Sequence, residues 1–558
     1  MAIVLVVTPI VFPSSKRATP IVDTTKATPT APAQPNAAVL PPTGAPPTVS
    51  AAPSPTVTDT TSKLTRPPLG QPATTTTLSN PKAEMTLINP GSVPTRVSLP
   101  AYRDLSPASP RGSNVVLRSG QTPLFRFRLA RGADTIALDT VALTASNAGQ
   151  TVSFTSPIAT INYTTSTDGY RTEVRGSVPN APPGSSLLID LPTTLESVEA
   201  DTLDDMRHLA YGFKRPHRDV QSIPFSKLDS LTTRVDTGGM QWVAARNKYW
   251  LVSLMKPVGT DTSAAFQSLV SRGGQHVGKI ARTASATTVY PLHNGQIAFD
   301  IYTGPQSWQL LRSFGNDLEN VNPYAGFMHA VVQPFATIVM RALLWMKATF
   351  HVNYGWVLVI FGVVIRLLLW PLNQKAMRTS IQMQRLQPEL QEMQKKYKSE
   401  PEKQRDALVK LYASHGMSPL SPMLGCLPML LPMPVLFALY FVFQNTIEFR
   451  DVPFLWLADI SLKDPFFIIP IVMGASMFLL SWIGMRGMPP NPQAKMMSYM
   501  MPVMFTVMFL NFASGLNLYY AVQNIAALPQ QWILTRERAK AAAGTTATTP
   551  PAKKKKQA

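Results

Sequence analysis

The sequence predicts an α-helical membrane protein. It has a core of five transmembrane helices, the remnant of an N-terminal helix, an all-β domain outside the membrane and an α-hairpin on the cytoplasmic side. Three observations predict it. The 558 residues change composition along the chain: the first 350 are rich in Thr, Ser and Pro, and the last 200 hold most of the Met and are denser in Phe and Leu. Short runs of alternating polarity recur in the first part, as half-buried strands require. The loops between apolar stretches alternate in charge, as loops on opposite sides of a membrane do.

At the N-terminus, MAIVLVVTPIVFP is apolar. It is shorter than the ~20 residues of a span and lacks the basic region of a signal sequence. Residues 1–12 are therefore expected to belong to a transmembrane anchor that starts upstream, or to a signal remnant. Residues 13–80 are rich in Pro, Thr and Ala with few aromatics. Such a stretch cannot bury enough apolar surface to offset its ordering entropy, which predicts a disordered linker. Residues 83–315 carry the runs VVLRS, LFRFRLA, TVSFTS, ATINYTT, YRTEVRG and IAFDIYTG, separated by turn residues. That pattern predicts one large antiparallel β-sandwich. Residues 326–350 are apolar with Arg341 and Lys347 interspersed, which suits an amphipathic helix lying on a membrane face.

The predicted spans are 353–372, 422–443, 466–484, 497–512 and 515–534, the last two joined by a tight turn at Ala513–Gly515. Residues 373–420 hold nine Lys/Arg against five Asp/Glu. Residues 485–496 hold Arg486 and Lys495 and no acid, and the 535–558 tail holds Arg536, Arg538, Lys540 and Lys553–Lys556 against Glu537. The 446–465 loop reverses this, with Glu448, Asp451, Asp459 and Asp464 against Arg450 and Lys463. The positive-inside rule puts the first three in the cytoplasm and the acidic loop and β domain outside. Within 373–420, the Ser-Glu-Pro-Glu at 399–402 is a helix restart, so the segment reads as an α-hairpin, polar on most faces.

One span contains a charge. In VLVIFGVVIRLLLWPL (357–372), Arg366 lies six residues from Leu372. Arginine costs roughly 2.5–3.5 kcal/mol at mid-bilayer on insertion scales, so it should face a wet cavity or a bundle interior. Six residues of helix rise ~9 Å, which leaves Arg366 in the cytoplasmic half, within reach of water from that side. Asn511, Asn517, Gln523 and Asn524 are costly in hydrocarbon unless they meet water or one another. Asn517, Tyr520 and Asn524 share one helical face and are expected to line the same cavity; interhelical hydrogen bonding alone is the alternative for each. The Met-rich stretch (Met496, Met497, Met500, Met501, Met504, Met508) suits either apolar filling or a promiscuous apolar surface.

Other chemistries find little support. The net charge of +20 fits topogenic lysines and arginines, with anionic lipid, nucleic acid or a ribosome as possible counterparts. The single Cys426 allows no intrachain disulfide and no Cys-based zinc site. GGQHVGKI at 273–280 nearly matches a phosphate loop, but Ile280 stands where the magnesium-binding hydroxyl is required. The seven histidines lack metal-ligand spacing and no GxSxG elbow occurs. Asn162-Tyr-Thr matches a glycosylation acceptor, a pattern common by chance. No catalytic residue, metal, cofactor or nucleotide is expected.

Several segments, in order, resemble the YidC-type membrane protein insertases of bacteria. They are NPYAGFMHAVVQPF, YGWVLVIFGVVIRLLLWPLNQKAMRTSIQMQRLQPELQEMQKKY, MSPLSPMLGCLPMLLPMPVLFALYFVF, FLWLADISLKDPFFIIPIVMGASMF and MMSYMMPVMFTVMFLNFASGLNLYYAVQNIAALPQQWIL, together covering about 320–535. The β segment is similar more loosely, through QWVAARNKYWLVSL and FDIYTGPQSWQLL. The resemblance implies a periplasmic β-supersandwich and a five-helix core. It also implies a hydrophilic groove, open to the cytoplasm and to lipid, with Arg366 as its arginine. Groove positions carried over from the family are Gly362, Leu436, Met473, Met508 and Tyr520. Gly362 stands where relatives often have a hydroxyl residue, and Ser481 where they often have Gln, so fewer polar contacts are expected. The implied activity is insertion and folding of nascent membrane proteins in the bacterial inner membrane, alone or with the Sec translocon. The implied partners are ribosome and membrane lipids, with the basic tail reaching ribosomal RNA phosphates. The alternatives are a transporter or channel with Arg366 as an anion site, and a sugar-active β domain; neither inverted repeats nor paired broken helices favour the former.

Overall fold

The structure, a computed structural model, describes residues 73–546 apart from 121, 133, 168, 260–262, 323–328, 398–399, 415–432 and 487–491. These belong to one contact unit, Arg66–Ala558. The expected anchor at 1–12, nearly all of the 13–80 linker, the start of the 422–443 span, Cys426 and the Lys553–Lys556 cluster fall outside the described residues.

Strands occupy the chain from Thr74 to Pro305. Their side chains alternate between core and solvent, as the period of two requires. In Thr151–Thr155 and Thr160–Thr165, Val152, Phe154, Ile161 and Tyr163 are buried while their neighbours are partly exposed. A nine-stranded antiparallel sheet runs from Gln221–Pro224 at one edge, through Trp242–Arg246, Trp250–Met255 and Gln296–Pro305, to Thr144–Ala148 at the other. A six-stranded sheet, from Arg234–Met240 to Asp134–Ala137, packs on it. Phe299 of the larger sheet meets Phe127, Phe266 and Tyr290 of the smaller at ring separations of 6.2, 6.5 and 5.5 Å. A four-stranded sheet spans Thr74–Ser79, Glu84–Asn89, Val93–Arg103 and Asn114–Arg118. Trp242–Arg246 and Trp250–Met255 are buried on both faces, so alternation disappears there.

The helices are α1 (Thr202–Arg207), α2 (Trp308–Ser313), α3 (His329–Phe350), α4 (Tyr354–Arg385), α5 (Gln387–Lys396) and α6 (Pro401–Ser414). After them come α7 (Met433–Asn445), α8 (Ile468–Met485), α9 (Pro492–Phe509) and α10 (Ser514–Thr546). Among the described residues two stretches are long and apolar enough to cross a membrane, Tyr354–Gln374 and Ile468–Met485, and Val435–Asn445 is a shorter apolar helix. α4 and α10 continue well past Leu372 and Leu534, the ends the apolar pattern marks. α7 packs on α3, α10 lies against both α4 and α8, and α9 against α8. Close approach depends on glycine: a Cβ on Gly474 would collide with Thr506, and one on Gly515 with the Phe443 ring.

The acidic loop after α7 is built from its own charges. Asp464 accepts from the backbone N–H groups of Phe466 and Ile469 at 3.0 and 2.8 Å, which satisfies donors at the start of α8. Asp459 accepts from the N–H groups of Asp451 and Ser461. The carbonyls of Leu462 and Ile460 accept from the N–H groups of Ser514 and Gly515, closing the first turn of α10.

A buried ion pair joins this loop to the β domain. Arg450 Nε donates to both carboxylate oxygens of Glu199, at 3.0 and 2.7 Å, with side-chain exposures of 2% and 7%. Arg450 Nη2 donates to the carbonyls of Arg103 and Val198, and the Trp250 indole also donates to Glu199. Arg103 in turn binds Asp451 through two bonds of 2.8 and 2.7 Å.

Candidate functional site

Arg366 sits on α4 between two environments. Val357, Leu358 and Phe361 are buried in the helical core, while Val363, Val364, Leu367 and Leu368 are exposed, Leu368 at 70%. The guanidinium donates from one terminal nitrogen to Gln530 Oε1 at 2.8 Å, and its Nε is buried without a partner. Gln530 is fixed in turn, because its Nε2 donates to the Trp370 carbonyl at 3.0 Å. Pro371 follows within the same helix, and its missing N–H and bulk disturb the turn around Leu367. The cation therefore has a neutral amide as partner, and among the described residues no carboxylate pairs with it.

α10 presents two polar strips. At 3.6 residues per turn, Tyr519, Gln523 and Gln530 lie within about 40° of one another, and Asn517, Tyr520 and Asn524 form a second strip about 110° further round. The first strip faces α4: Gln523 Nε2 donates to the Tyr519 hydroxyl at 2.8 Å and to the Gly362 carbonyl at 3.3 Å. The second faces α8 and α9: Asn524 Nδ2 reaches the Met473 carbonyl and Ser476 Oγ at 3.4 and 3.3 Å, and Asn517 Nδ2 the Phe509 carbonyl at 3.0 Å. Tyr520 packs against Phe509 with ring centroids 5.6 Å apart and planes tilted by 60°.

The structure thus distributes the residues singled out by sequence. Gly362 is buried, and a Cβ there would lie 3.0 Å from Val522, so its smallness lets α10 close on α4 while its carbonyl remains an acceptor. Gln523 approaches Arg366's helix. Met473 and Asn517 are buried, and Asn524 bonds across to α8. Leu436 and Tyr520 pack at the edge of the helical core. Ser481 is half-buried on α8, whereas Asn511 is exposed in the α9–α10 turn and Met508 is exposed on α9. Gln530, the direct partner of Arg366, was not singled out, although an amide inside the predicted 515–534 span is the same signal that marked Gln523. Tyr519 and Ser476 carry no such signal.

A belt of exposed apolar side chains surrounds these helices, including Ile471, Val472 and Phe478 on α8, Met500, Val503, Met504 and Val507 on α9, and Ile525, Trp532 and Ile533 on α10. So large a patch marks a surface made for an apolar medium or partner. A β-sandwich domain keyed to a bundle with such a belt, and with an amide-held arginine inside it, defines a membrane-associated protein in two parts.

Two family models divide the chain in the same way. The model described as YidC periplasmic domain matches residues 78–338, and the one described as 60Kd inner membrane protein matches residues 345–541. The membrane protein insertase YidC of Geobacter sulfurreducens is 30% identical over 486 residues, covering 83% of this chain and 86% of the relative. On that match the chain belongs to the YidC family of membrane protein insertases. The namesake of Anaeromyxobacter dehalogenans is 33% identical over 308 residues, 54% of this chain and 53% of its own, so the chain spans about half the length of such relatives. A solved structure titled active YidC insertase with the first transmembrane domain resolved is 18% identical, covering 82% of this chain and 92% of that one, with a TM-score of 0.33.

Proposed function

We propose that this chain inserts nascent transmembrane segments into a bacterial inner membrane, along a groove that runs beside Arg366 and opens toward the cytoplasm and toward lipid. One observation carries the reading: a permanent cation within an apolar span whose sole hydrogen-bond partner among the described residues is a neutral amide. Such a charge is tolerable where water reaches it, and it has donors to spare for an incoming carboxylate. An acidic outer segment of a substrate pairs transiently with Arg366, and its apolar stretch then moves sideways into lipid. Burial of that stretch supplies the driving free energy, and no covalent bond changes.

In this reading α4, α7, α8, α9 and α10 are the five spans, residues 373–420 with α5 and α6 form the cytoplasmic hairpin, and the β domain lies in the periplasm. Gln523, Gln530 and Gly362 form the wall next to the arginine. Leu436, Met473, Ser481, Met508, Asn511, Asn517, Tyr520 and Asn524 shape the rest of the groove, with the exposed methionines of α9 as an adaptable apolar side. The ribosome, the Sec translocon and membrane lipids are the partners. The test is aqueous access. With Cys426 replaced by Ser, a cysteine at Leu367 or Gln530 should react with a membrane-impermeant thiol reagent added from the cytoplasmic side. Protection from that side at both positions overturns the groove, and steady anion flux through proteoliposomes would favour a channel instead.

A further inference from the structure

Where the β domain meets α3 and the end of α7, a small cleft of about 10 Å³, room for one group the size of a water or an ammonium, is lined by Gln306, Trp308, Glu319, Met340, Thr446 and Glu448, among others. It lies outside the groove, and its walls are short of partners. Gln306 is 5% exposed, and its Nε2 donates to the carbonyls of Asn247 and Trp250 at 2.9 and 3.1 Å. Two acceptors on one nitrogen fix the amide orientation, so the unpartnered atom is an acceptor, Oε1. Thr446 is 2% exposed and its hydroxyl has no partner. Glu448 takes the Ser307 hydroxyl on one oxygen at 3.0 Å, while its Oε2, like that of Glu319, is buried and unsatisfied.

Neither carboxylate forms an ion pair among the described residues. Buried carboxylates in that condition take up a proton or a cation, and burial does raise both Glu448 and Glu319 above the usual carboxylate range. Three of these four unsatisfied atoms are acceptors, and the fourth, the Thr446 hydroxyl, can accept as well as donate, so one group rich in donors would serve all four. A primary ammonium supplies three N–H donors, no acceptor and the compensating charge.

The surroundings indicate where such a group comes from. Met340 on the cleft wall belongs to α3, which exposes Ile338 and Trp345 at 63% each. Beside the cleft, the Arg341 and Arg312 guanidiniums lie 5.5 and 4.9 Å from the centre of the Trp308 ring, which itself lines the cleft. Two guanidiniums beside an acceptor-lined cleft, next to an exposed apolar helix, suit a phosphate whose tethered ammonium points inward.

We propose that this cleft binds the phosphoethanolamine headgroup of a membrane lipid, its ammonium among Gln306, Glu319, Thr446 and Glu448 and its phosphate on Arg312 and Arg341. The proposal rests on the reading of α3 as a helix at the membrane surface. It is tested on the full chain in detergent by native mass spectrometry with short-chain phosphatidylethanolamine, phosphatidylcholine and phosphatidylglycerol. Phosphatidylethanolamine should be retained about tenfold better than phosphatidylcholine, whose quaternary nitrogen offers no N–H, and better than phosphatidylglycerol, which lacks the cation. Glu448→Gln should remove that preference, and the milder Glu319→Gln should weaken it, keeping the test open if the first variant folds poorly. Displacement by soluble O-phosphoethanolamine supports the headgroup chemistry, whereas binding of that compound without lipid preference assigns the cleft to a free metabolite and overturns the lipid source. Equal retention of phosphatidylethanolamine and phosphatidylcholine, or unchanged preference in both variants, overturns the site, leaving protonated glutamates. Arg366→Ala separates this from the groove: it should reduce insertion of substrates with acidic outer segments and keep lipid preference.

Discussion

Replacing Arg450 with alanine tests how the β domain is fastened to the loop after α7. The substitution leaves Glu199 buried with the Trp250 indole and no cation, and removes the Arg450 donor from the Arg103 carbonyl and from the Val198 carbonyl, the latter keeping the Leu105 N–H. Breaking a buried pair by removing one partner costs about 3–5 kcal/mol, and each orphaned acceptor adds up to about 1 kcal/mol where water cannot replace the donor. Because these terms overlap, about 4 kcal/mol is expected for the joint. Unfolding of the full chain in detergent, followed by tryptophan fluorescence, should begin on the order of 10 °C lower. Trp250 is a suitable reporter, since the Arg450 guanidinium lies 5.3 Å from its ring centre. Amides of residues 446–465 should exchange faster at temperatures below that transition. The second arm is a cycle with Glu199→Gln, which keeps an acceptor for the indole but removes the stranded charge. The double variant Arg450→Ala with Glu199→Gln should be less destabilised than the two singles summed, by at least about 1.5 kcal/mol. A cost below about 1 kcal/mol for Arg450→Ala, or simple additivity in the cycle, would refute the assignment of this pair as the fastening.

Three further outcomes follow from the same structure. Arg366→Ala should reduce insertion of substrates with acidic outer segments by about tenfold, the worth of a charge-assisted bond, and Arg366→Lys should restore most of it; normal insertion by the alanine variant in a reconstituted assay would remove charge pairing from the mechanism. Gly515→Ala places a methyl against the Phe443 ring and should cost about 1–3 kcal/mol, read as a lower unfolding temperature in detergent. Asp205 is raised to about 7, first by burial and then by the neighbouring Glu199 charge. Its folded form holds a proton more tightly than its unfolded form, so this group lowers stability as pH rises from about 4 to about 7 and adds no slope beyond. Asp205→Asn should remove that part of the pH dependence, and an unchanged slope in thermal unfolding between pH 5 and 8 would contradict it.

The β strands were legible because alternation is local: Val152 and Phe154, or Ile161 and Tyr163, announce a buried face within five residues. It failed at Trp242–Arg246 and Trp250–Met255, where both faces are covered and period two vanishes. Arg366 was legible because one charge among apolar neighbours needs an explanation wherever it occurs. Its partner was not, since Gln530 lies 164 positions away and nothing local connects them. The polar face grouped by spacing, Asn517, Tyr520 and Asn524, turns toward α8 and α9, while the residues nearest the arginine occupy the adjacent strip. Spacing defines which residues share a face, and only packing decides what the face meets. The acidic loop carried a similar ambiguity. Its charges were read as a sign of sidedness, yet Asp459 and Asp464 also hold backbone donors, and Arg450 reaches a carboxylate 251 positions earlier.

The Arg450–Glu199 fastening has a mechanical consequence. It anchors the loop that links α7 to α8, and the same loop lends its carbonyls to the first turn of α10. Three helices are thereby moored at one end to a rigid sandwich. Among the described residues no ion pair ties α5 or α6 to the sandwich, so breathing of the bundle is expected at their end. If the proposed groove is right, a bundle pinned at one rim and free at the other would open like a purse and take in a segment from the untethered side.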